Sequence, residues 1–294
     1  MPPRRLLVAL LCCWSALAAH AALLEVDGVV SPAWIAHVDG RREPLEVGAA
    51  VAQGDRLITG PGARVRLRME EGSAVRLGEN AELAVEQLTA TDRPGDGGAR
   101  WVGAFDVERG AFRCTTSTGH DTRVERDLKF RIDAVAVGIR GTDVWGSADA
   151  ARSLVVLIDG RATVGGPGGV AELAGPRAAY VVPRGGSAQP VTRVSKEVLK
   201  ALAAKTEILA GAGGARRGGR SRVEALATID ETYARQQHEQ LRAAGYPAQL
   251  NVVEEEGAMP VYRVDLRQIV GERDARAVVR KFEALGYPTA RSTR

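Results

Sequence analysis

A chain of 294 residues, 45% of them apolar and 26% charged, is long enough for two domains with cores of their own. The formal net charge of +4 is a slight excess of base over acid, and aromatic residues make up only 4% of the chain. That combination excludes the concentrated basic face and the base-stacking platforms of a nucleic-acid-binding protein.

In chain order, the first expected element is an export signal over residues 1–21. Arg4 and Arg5 give a basic start, Leu6 to Leu17 an apolar stretch, and Ala19-His20-Ala21 a small-x-small cleavage site. The stretch is short for a membrane span and closely followed by the cleavage site, and Leu11 before Cys12 argues against a lipid anchor. Nothing later in the sequence is apolar for long enough to cross a bilayer. The expectation is a mature chain beginning near Ala22, with no membrane span, exported to the periplasm or cell envelope. Cys12 and Cys13 would leave with the signal, so Cys114 would remain alone, without an intramolecular disulfide, as a small half-buried core residue.

Residues 22–182 read as an all-β domain of short antiparallel strands, a β-sandwich, barrel or β-roll. Arg64 to Met69 alternates charged and apolar residues, turns at Glu70-Glu71-Gly72-Ser73 and resumes at Ala74, which spells a hairpin with one buried face. Ala81 to Leu88, Phe105 to Phe112, Leu154 to Ile158 and Ala162 to Val164 continue in the same manner. An amphipathic helix is expected over 195–210, capped by Ser195 and running from Lys196 to Leu209. The Gly/Arg-rich stretch 211–221 reads as a flexible linker, with an arginine cluster able to touch an anionic polymer.

Residues 222–294 carry a duplication. Ala234-Arg235 leads to Gly245-Tyr246-Pro247, and 41 residues later Ala275-Arg276 leads to Gly286-Tyr287-Pro288. Each copy spells a helix closed by glycine and followed by an extended segment. The order is strand 223–229, helix 232–244, strand 247–253, strand 261–269, helix 274–285 and strand 288–292. This predicts an α+β domain of the ferredoxin-like split βαβ type, βαββαβ, with both helices on one face of the sheet.

Two resemblances follow. Gly54-Asp55-Arg56-Leu57, Gly72-Ser73-Ala74-Val75, Ala136-Val137-Gly138-Ile139-Arg140-Gly141-Thr142-Asp143 and Leu157-Ile158-Asp159-Gly160 resemble, in order, the FecR domain family. The iron-citrate regulator for which that family is named has a cytoplasmic sigma-factor-binding segment and a membrane span where this chain has an export signal. The turn Arg140, Gly141, Thr142, Asp143 is expected to be structural, with Arg140 and Asp143 pairing across it or bonding nearby carbonyls.

The paired Gly-Tyr-Pro elements and Val261-Tyr262-Arg263-Val264 resemble the SPOR family, whose open sheet face binds peptidoglycan glycan strands. That resemblance and period-two alternation put Glu224, Leu226 and Thr228 of the first strand with Arg263, Asp265 and Arg267 of the third on one open face. Leu226-Ala227 stands where that family has Gly-Ser, and Thr228 where it has an aromatic residue.

Nothing in the sequence assembles an enzyme. His37, His120 and His238 lack metal spacing, Gly165 to Gly169 lacks the lysine of a phosphate loop, and the carboxylate runs fall in expected turns. No catalytic residue, metal or cofactor is assigned. The sequence leaves two readings: an exported, non-enzymatic envelope protein bound to peptidoglycan glycan strands, or an envelope protein-interaction scaffold or signalling component whose C-terminal domain does not bind glycan.

Overall fold

The computed structural model describes residues 22–93, 97–116, 123–139 and 141–293. The export signal, His120 and Arg140 lie outside them. Among the described residues, sixteen strands and one helix precede residue 211: β1 (Leu24–Val30), β2 (Ala33–Ala36), β3 (Arg42–Pro44), β4 (Arg56–Thr59), β5 (Arg64–Met69), β6 (Ala74–Leu77), β7 (Glu82–Arg93), β8 (Gly98–Thr115), β9 (Val124–Ile132), β10 (Val135–Ile139), β11 (Asp143–Ala148), β12 (Arg152–Asp159), β13 (Arg161–Gly166), β14 (Gly169–Ala174), β15 (Ala178–Pro183), β16 (Thr192–Arg193) and α1 (Lys196–Ala204). After it come β17 (Gly214–Arg216), β18 (Ser221–Thr228), α2 (Glu231–Ala243), β19 (Gln249–Val253), β20 (Val261–Ile269), α3 (Glu272–Ala284) and β21 (Arg291–Thr293).

Two sheets enclose the larger core. One runs β16-β15-β12-β11-β8-β6-β5-β1-β17 and the other β3-β2-β4-β7-β8-β9-β10-β13-β14. Strand β8 belongs to both: its first half lies between β7 and β9, its second between β6 and β11. Gly110 marks the crossing, with φ of +82° and no room for a side chain, since a Cβ there would meet the Ala81 Cα at 2.4 Å. The antiparallel expectation holds for every pair but one. Val124 of β9 pairs beside Ala99, back at the start of β8, so these two strands are parallel.

The scarce aromatics are concentrated at the core. Of four phenylalanines, Phe105, Phe112 and Phe130 stack at centroid distances of 4.8 and 4.6 Å between the sheets. Each such buried ring contributes roughly 1.5–3 kcal/mol. The fourth, Phe282, lies between Tyr246 and Tyr287, at 5.4 and 5.9 Å, in the C-terminal part.

Residues 221–293 form an antiparallel sheet ordered β21-β18-β20-β19, with α2 and α3 packed against it. Both helices end as the duplication implies. Gly245 and Gly286 take φ of +84° and +95°, and each following tyrosine is buried.

Two expectations about the middle of the chain are corrected. The helix capped by Ser195 stops at Ala204, because Lys205 and Thr206 turn back onto the carbonyls of Leu202 and Ala203. The Gly/Arg stretch is no flexible linker. Gly214, Ala215 and Arg216 pair with Val30, Val29 and Gly28 of β1, Ala215 also pairs with Ile269 of β20, and Arg217 forms an ion pair with Glu25. The Asp274 carboxylate accepts hydrogen bonds from the amides of Gly211, Gly213 and Gly214 at 2.9–3.0 Å. Glycine is needed here for backbone geometry: Gly211 and Gly213 have φ of +85° and +89°.

The two parts therefore share one continuous core, and further contacts reinforce the seam. The Ala33 amide donates to the Gly245 carbonyl at 3.0 Å, and the Trp34 indole donates to the Ala243 carbonyl at 3.1 Å. Arg242 bonds Glu46 at 3.0 Å. The Lys281 ammonium donates to the Ser31 carbonyl at 3.0 Å, and burial pushes its pKa down.

Candidate functional site

Gly141 and Thr142 lead into Asp143, the first residue of β11. Gly141 has φ of +62°, a conformation that glycine adopts without penalty. Thr142 is buried; its amide donates to the Thr116 hydroxyl at 2.7 Å, and that hydroxyl donates to the Thr142 carbonyl at 3.0 Å. Asp143 takes its partner from β8. The Arg113 guanidinium grips it through two bonds of 2.9 and 2.6 Å, and the Thr115 hydroxyl adds a third at 3.2 Å. Bonding to Asp143 holds the Arg113 pKa above its ordinary value. A further Arg113 nitrogen donates to Glu207 at 2.7 Å, which fixes the segment after α1 to the sheet.

Gly138 floors a cavity of 380 Å³ on the outer side of β9, β10, β13 and β14. Its walls are two ion pairs, Lys129–Asp127 at 3.5 Å and Arg161–Glu172 at 3.7 Å. The cavity is thus balanced in charge.

On the C-terminal sheet, four of the six residues expected on the open face share it and two do not. Glu224 and Asp265 sit directly opposite each other on β18 and β20, only 5% and 1% exposed. Two carboxylates in that position repel, and arginines offset the repulsion. Glu224 meets Arg291 at 2.7 Å and Arg263 at 3.6 Å. Asp265 meets Asn251 at 3.0 Å, Arg267 at 3.2 Å and Arg222 at 3.6 Å. What this face offers to solvent is guanidinium, with the acids underneath.

A register shift between Glu224 and Leu226 moves the rest of β18 to the other side. Leu226 is buried opposite Val264 in the core, and Thr228, opposite Tyr262, accepts a bond from the Asp230 amide just before α2. Ala227, opposite Arg263, takes the place on the open face expected for Thr228. Arg222, Asn251 and Arg291 complete the cluster. Arg222 follows from the same alternation as Glu224, whereas Asn251 and Arg291 arrive from neighbouring strands whose register the sequence does not display.

The remaining titratable groups pair more closely than their scatter in the sequence suggests. The His37 ring sits between Asp55, at 2.9 Å, and Glu43, at 3.0 Å, and the Asp55 bond is the main cause of its raised pKa. Asp55, the aspartate of the Gly54-Asp55-Arg56-Leu57 string, is itself buried and accepts from the Ala52 amide. Glu71, expected in a solvated turn, is half-buried, with its side chain covered against Arg126 at 3.2 Å. His238 is half-buried and bonds the Ala248 carbonyl at 3.1 Å, so it is not a plain surface residue. Cys114 is fully buried, beyond the half-buried position expected, and burial pushes its thiol pKa well up. Among the described residues, no three His, Cys, Asp or Glu side chains gather as a metal site.

Residues 55–163 match the family model described as FecR protein, so this part of the chain is a FecR domain. It contains Asp55, though not its partner His37, both halves of β8 and the bonded pair Arg113 and Asp143. A comparison with curated proteins finds no match. Two crystal structures of a candidate anti-sigma factor from Parabacteroides distasonis ATCC 8503, at 1.65 and 2.50 Å resolution, align over 80% of this chain and 91% of theirs. Each is 14% identical to it, with a TM-score of 0.39. Among the described residues no helix is long and apolar enough to cross a membrane.

Proposed function

We propose that this protein is an exported, non-enzymatic interaction protein of the cell envelope, in which the FecR domain and the C-terminal βαββαβ unit act as one rigid body. The observation that carries this reading is β17. A segment paired with β1 on one side and reaching β20 on the other joins the two parts by backbone hydrogen bonds rather than by a tether. Such a body offers partners fixed surfaces in a fixed relation, which suits docking and scaffolding. Export rests on the basic, apolar and small-residue order of the first 21 residues.

Crosslinking in cells with the full-length chain tests the role. A defined envelope protein partner that survives peptidoglycan removal supports it, and retention on the cell wall alone would overturn it. N-terminal sequencing of the mature protein checks export, with Ala22 as the expected first residue.

A second reading, binding of peptidoglycan glycan strands by the C-terminal sheet, is favoured by one observation. Arg222, Arg263, Arg267 and Arg291 outnumber the two acids beneath them and leave guanidinium groups at the surface. On that reading R263A/R267A releases the protein from purified peptidoglycan in a sedimentation assay. Unchanged sedimentation would remove these residues from any glycan site.

A further inference from the structure

Trp34, Trp101 and Trp145 stand among the described residues. The Trp34 indole has its acceptor in the Ala243 carbonyl. Trp145, on β11, is 1% exposed, and its Nε1 is buried with no hydrogen-bond partner. A buried donor without an acceptor is costly and rare, and it calls for an explanation.

Trp145 lines a cavity. Trp145 and Ser147, two residues apart on β11, lie opposite Arg113 and Ala111 of β8 and share the face of the sheet turned away from the main core. Leu199 and Leu202 of α1 pack against the apolar cluster that Trp145 forms with Ala111 and Leu154. Where this helix gives way to Lys205, a cavity of 210 Å³ is lined by Trp145, Ser147, Asp149, Glu79 and Lys205. Gly78, Gly110 and Ala111 also line it, and their small size keeps it open. A Cβ at Gly78 would stand 2.9 Å from the Lys205 carbonyl oxygen.

The polar groups of this cavity carry both signs of charge. Lys205 and Asp149 have no ion-pair partner among the described residues. The Asp149 carboxylate accepts from the amides of Ala151 and Arg152 at 2.8 and 2.9 Å, and these bonds, with the nearby charges of Arg152 and Lys205, hold its pKa below the ordinary carboxylate value. Glu79 accepts from the Gly62 amide at 2.8 Å and meets Arg64 at 3.9 Å. A purely anionic ligand would face two carboxylates, and a purely cationic one would leave the indole N–H without an acceptor. A ligand with both charges answers every group. The volume is below the roughly 300 Å³ at which sites for drug-sized ligands begin, so that ligand is small.

We propose that this cavity binds a free α-amino acid with a small, uncharged side chain. Its carboxylate accepts from the Trp145 indole and the Lys205 ammonium, and its ammonium donates to Asp149 and Glu79. The Ser147 hydroxyl serves either end. This site goes beyond the docking role proposed above and does not depend on it.

The test uses the mature protein labelled with nitrogen-15, in which the indole N–H resonance of Trp145, assigned by triple-resonance experiments, reports on the donor itself. Titration with glycine or L-alanine is expected to shift this signal saturably and to leave that of Trp34 in place. Acetate and methylamine, which carry one end of glycine each, should bind at least tenfold more weakly. D149N, which keeps an acceptor for the Ala151 and Arg152 amides, and K205Q should each weaken glycine at least tenfold. K200Q, at an exposed position of α1 outside the cavity, should change nothing, and circular dichroism checks that each variant folds.

Absence of a saturable shift with both amino acids would overturn the proposal. So would acetate or methylamine binding as tightly as glycine, or D149N and K205Q both binding glycine as the wild type does. A common shift of the Trp34 and Trp145 signals marks a bulk effect of the solute and would equally overturn it.

Discussion

The two copies of the C-terminal duplication have the same local form and different surroundings. Gly245 and Gly286 both close a helix in the left-handed region, and Tyr246 and Tyr287 both bury a ring against Phe282. Yet Gly245 is pressed against the β-domain, where a Cβ would stand 2.6 Å from the Trp34 ring, while a Cβ at Gly286 would meet nothing within 4 Å. The early acids differ in the reverse sense. Asp230 caps its own helix by accepting from the Tyr233 amide at 3.0 Å, whereas Asp274 of the second copy gathers three amides of the 211–214 segment. A repeat fixes how each half closes on itself; which half meets the rest of the molecule depends on residues outside it.

Glycine substitutions test this asymmetry most severely. G245A combines left-handed strain with a clash against an aromatic ring and should cost about 3–4 kcal/mol of stability. G286A suffers the strain alone, about 1 kcal/mol. Urea denaturation of the two variants reads the difference, and equal losses would mean that the Trp34 contact contributes nothing.

The acids come next. D274A leaves three amides, two of them buried, without their acceptor and should cost about 3 kcal/mol, while D230A, the loss of an ordinary cap, should cost about 1 kcal/mol. Trypsin gives a second measure. Cleavage after Arg216, Arg217 or Arg220 should speed up in D274A and stay at the wild-type rate in D230A. Rapid cleavage of the wild-type protein at these sites would restore the flexible linker.

A smaller, pH-dependent effect belongs to the β-domain. The folded pKa of His37 is raised by Asp55 and Glu43, so its charged form is favoured in the native state. The stabilisation is fully present below the unfolded value of about 6.5 and is lost as pH rises through the higher folded value. H37Q should therefore flatten the fall in denaturation midpoint between pH 6 and 8.5. An unchanged pH profile would show that the two bonds carry no net stabilisation.

Legibility in the sequence followed the range of the interactions. The helices and strands of the duplication were readable because their signals are local: Gly at the helix end, then Tyr-Pro, then alternation. The β-domain hairpins were readable for the same reason, as at Arg64 to Leu77. The bulge near Ala225 was not, since a single extra residue leaves composition and spacing almost unchanged while it reverses the faces of Leu226 and Thr228. The 211–221 stretch misled because glycine serves two ends. It loosens a tether, and it also permits the positive φ and close approach by which Gly211, Gly213 and Gly214 fold around Asp274. Nor does any local pattern say that Asp143 belongs to Arg113, or that Asp55 belongs to His37.

The pairing of β1 with β17 bears on how the molecule comes into being. The first strand of the described chain finds one neighbour in β5, soon after it in sequence, but its other edge waits for a segment close to the C-terminal unit. A chain emerging from its N-terminus therefore carries an open, largely apolar edge through most of its synthesis or translocation. Contacts so far apart are late and slow to form. The last quarter of the protein thus protects the first strand, and a truncation before residue 214 would expose an edge that the complete fold keeps covered.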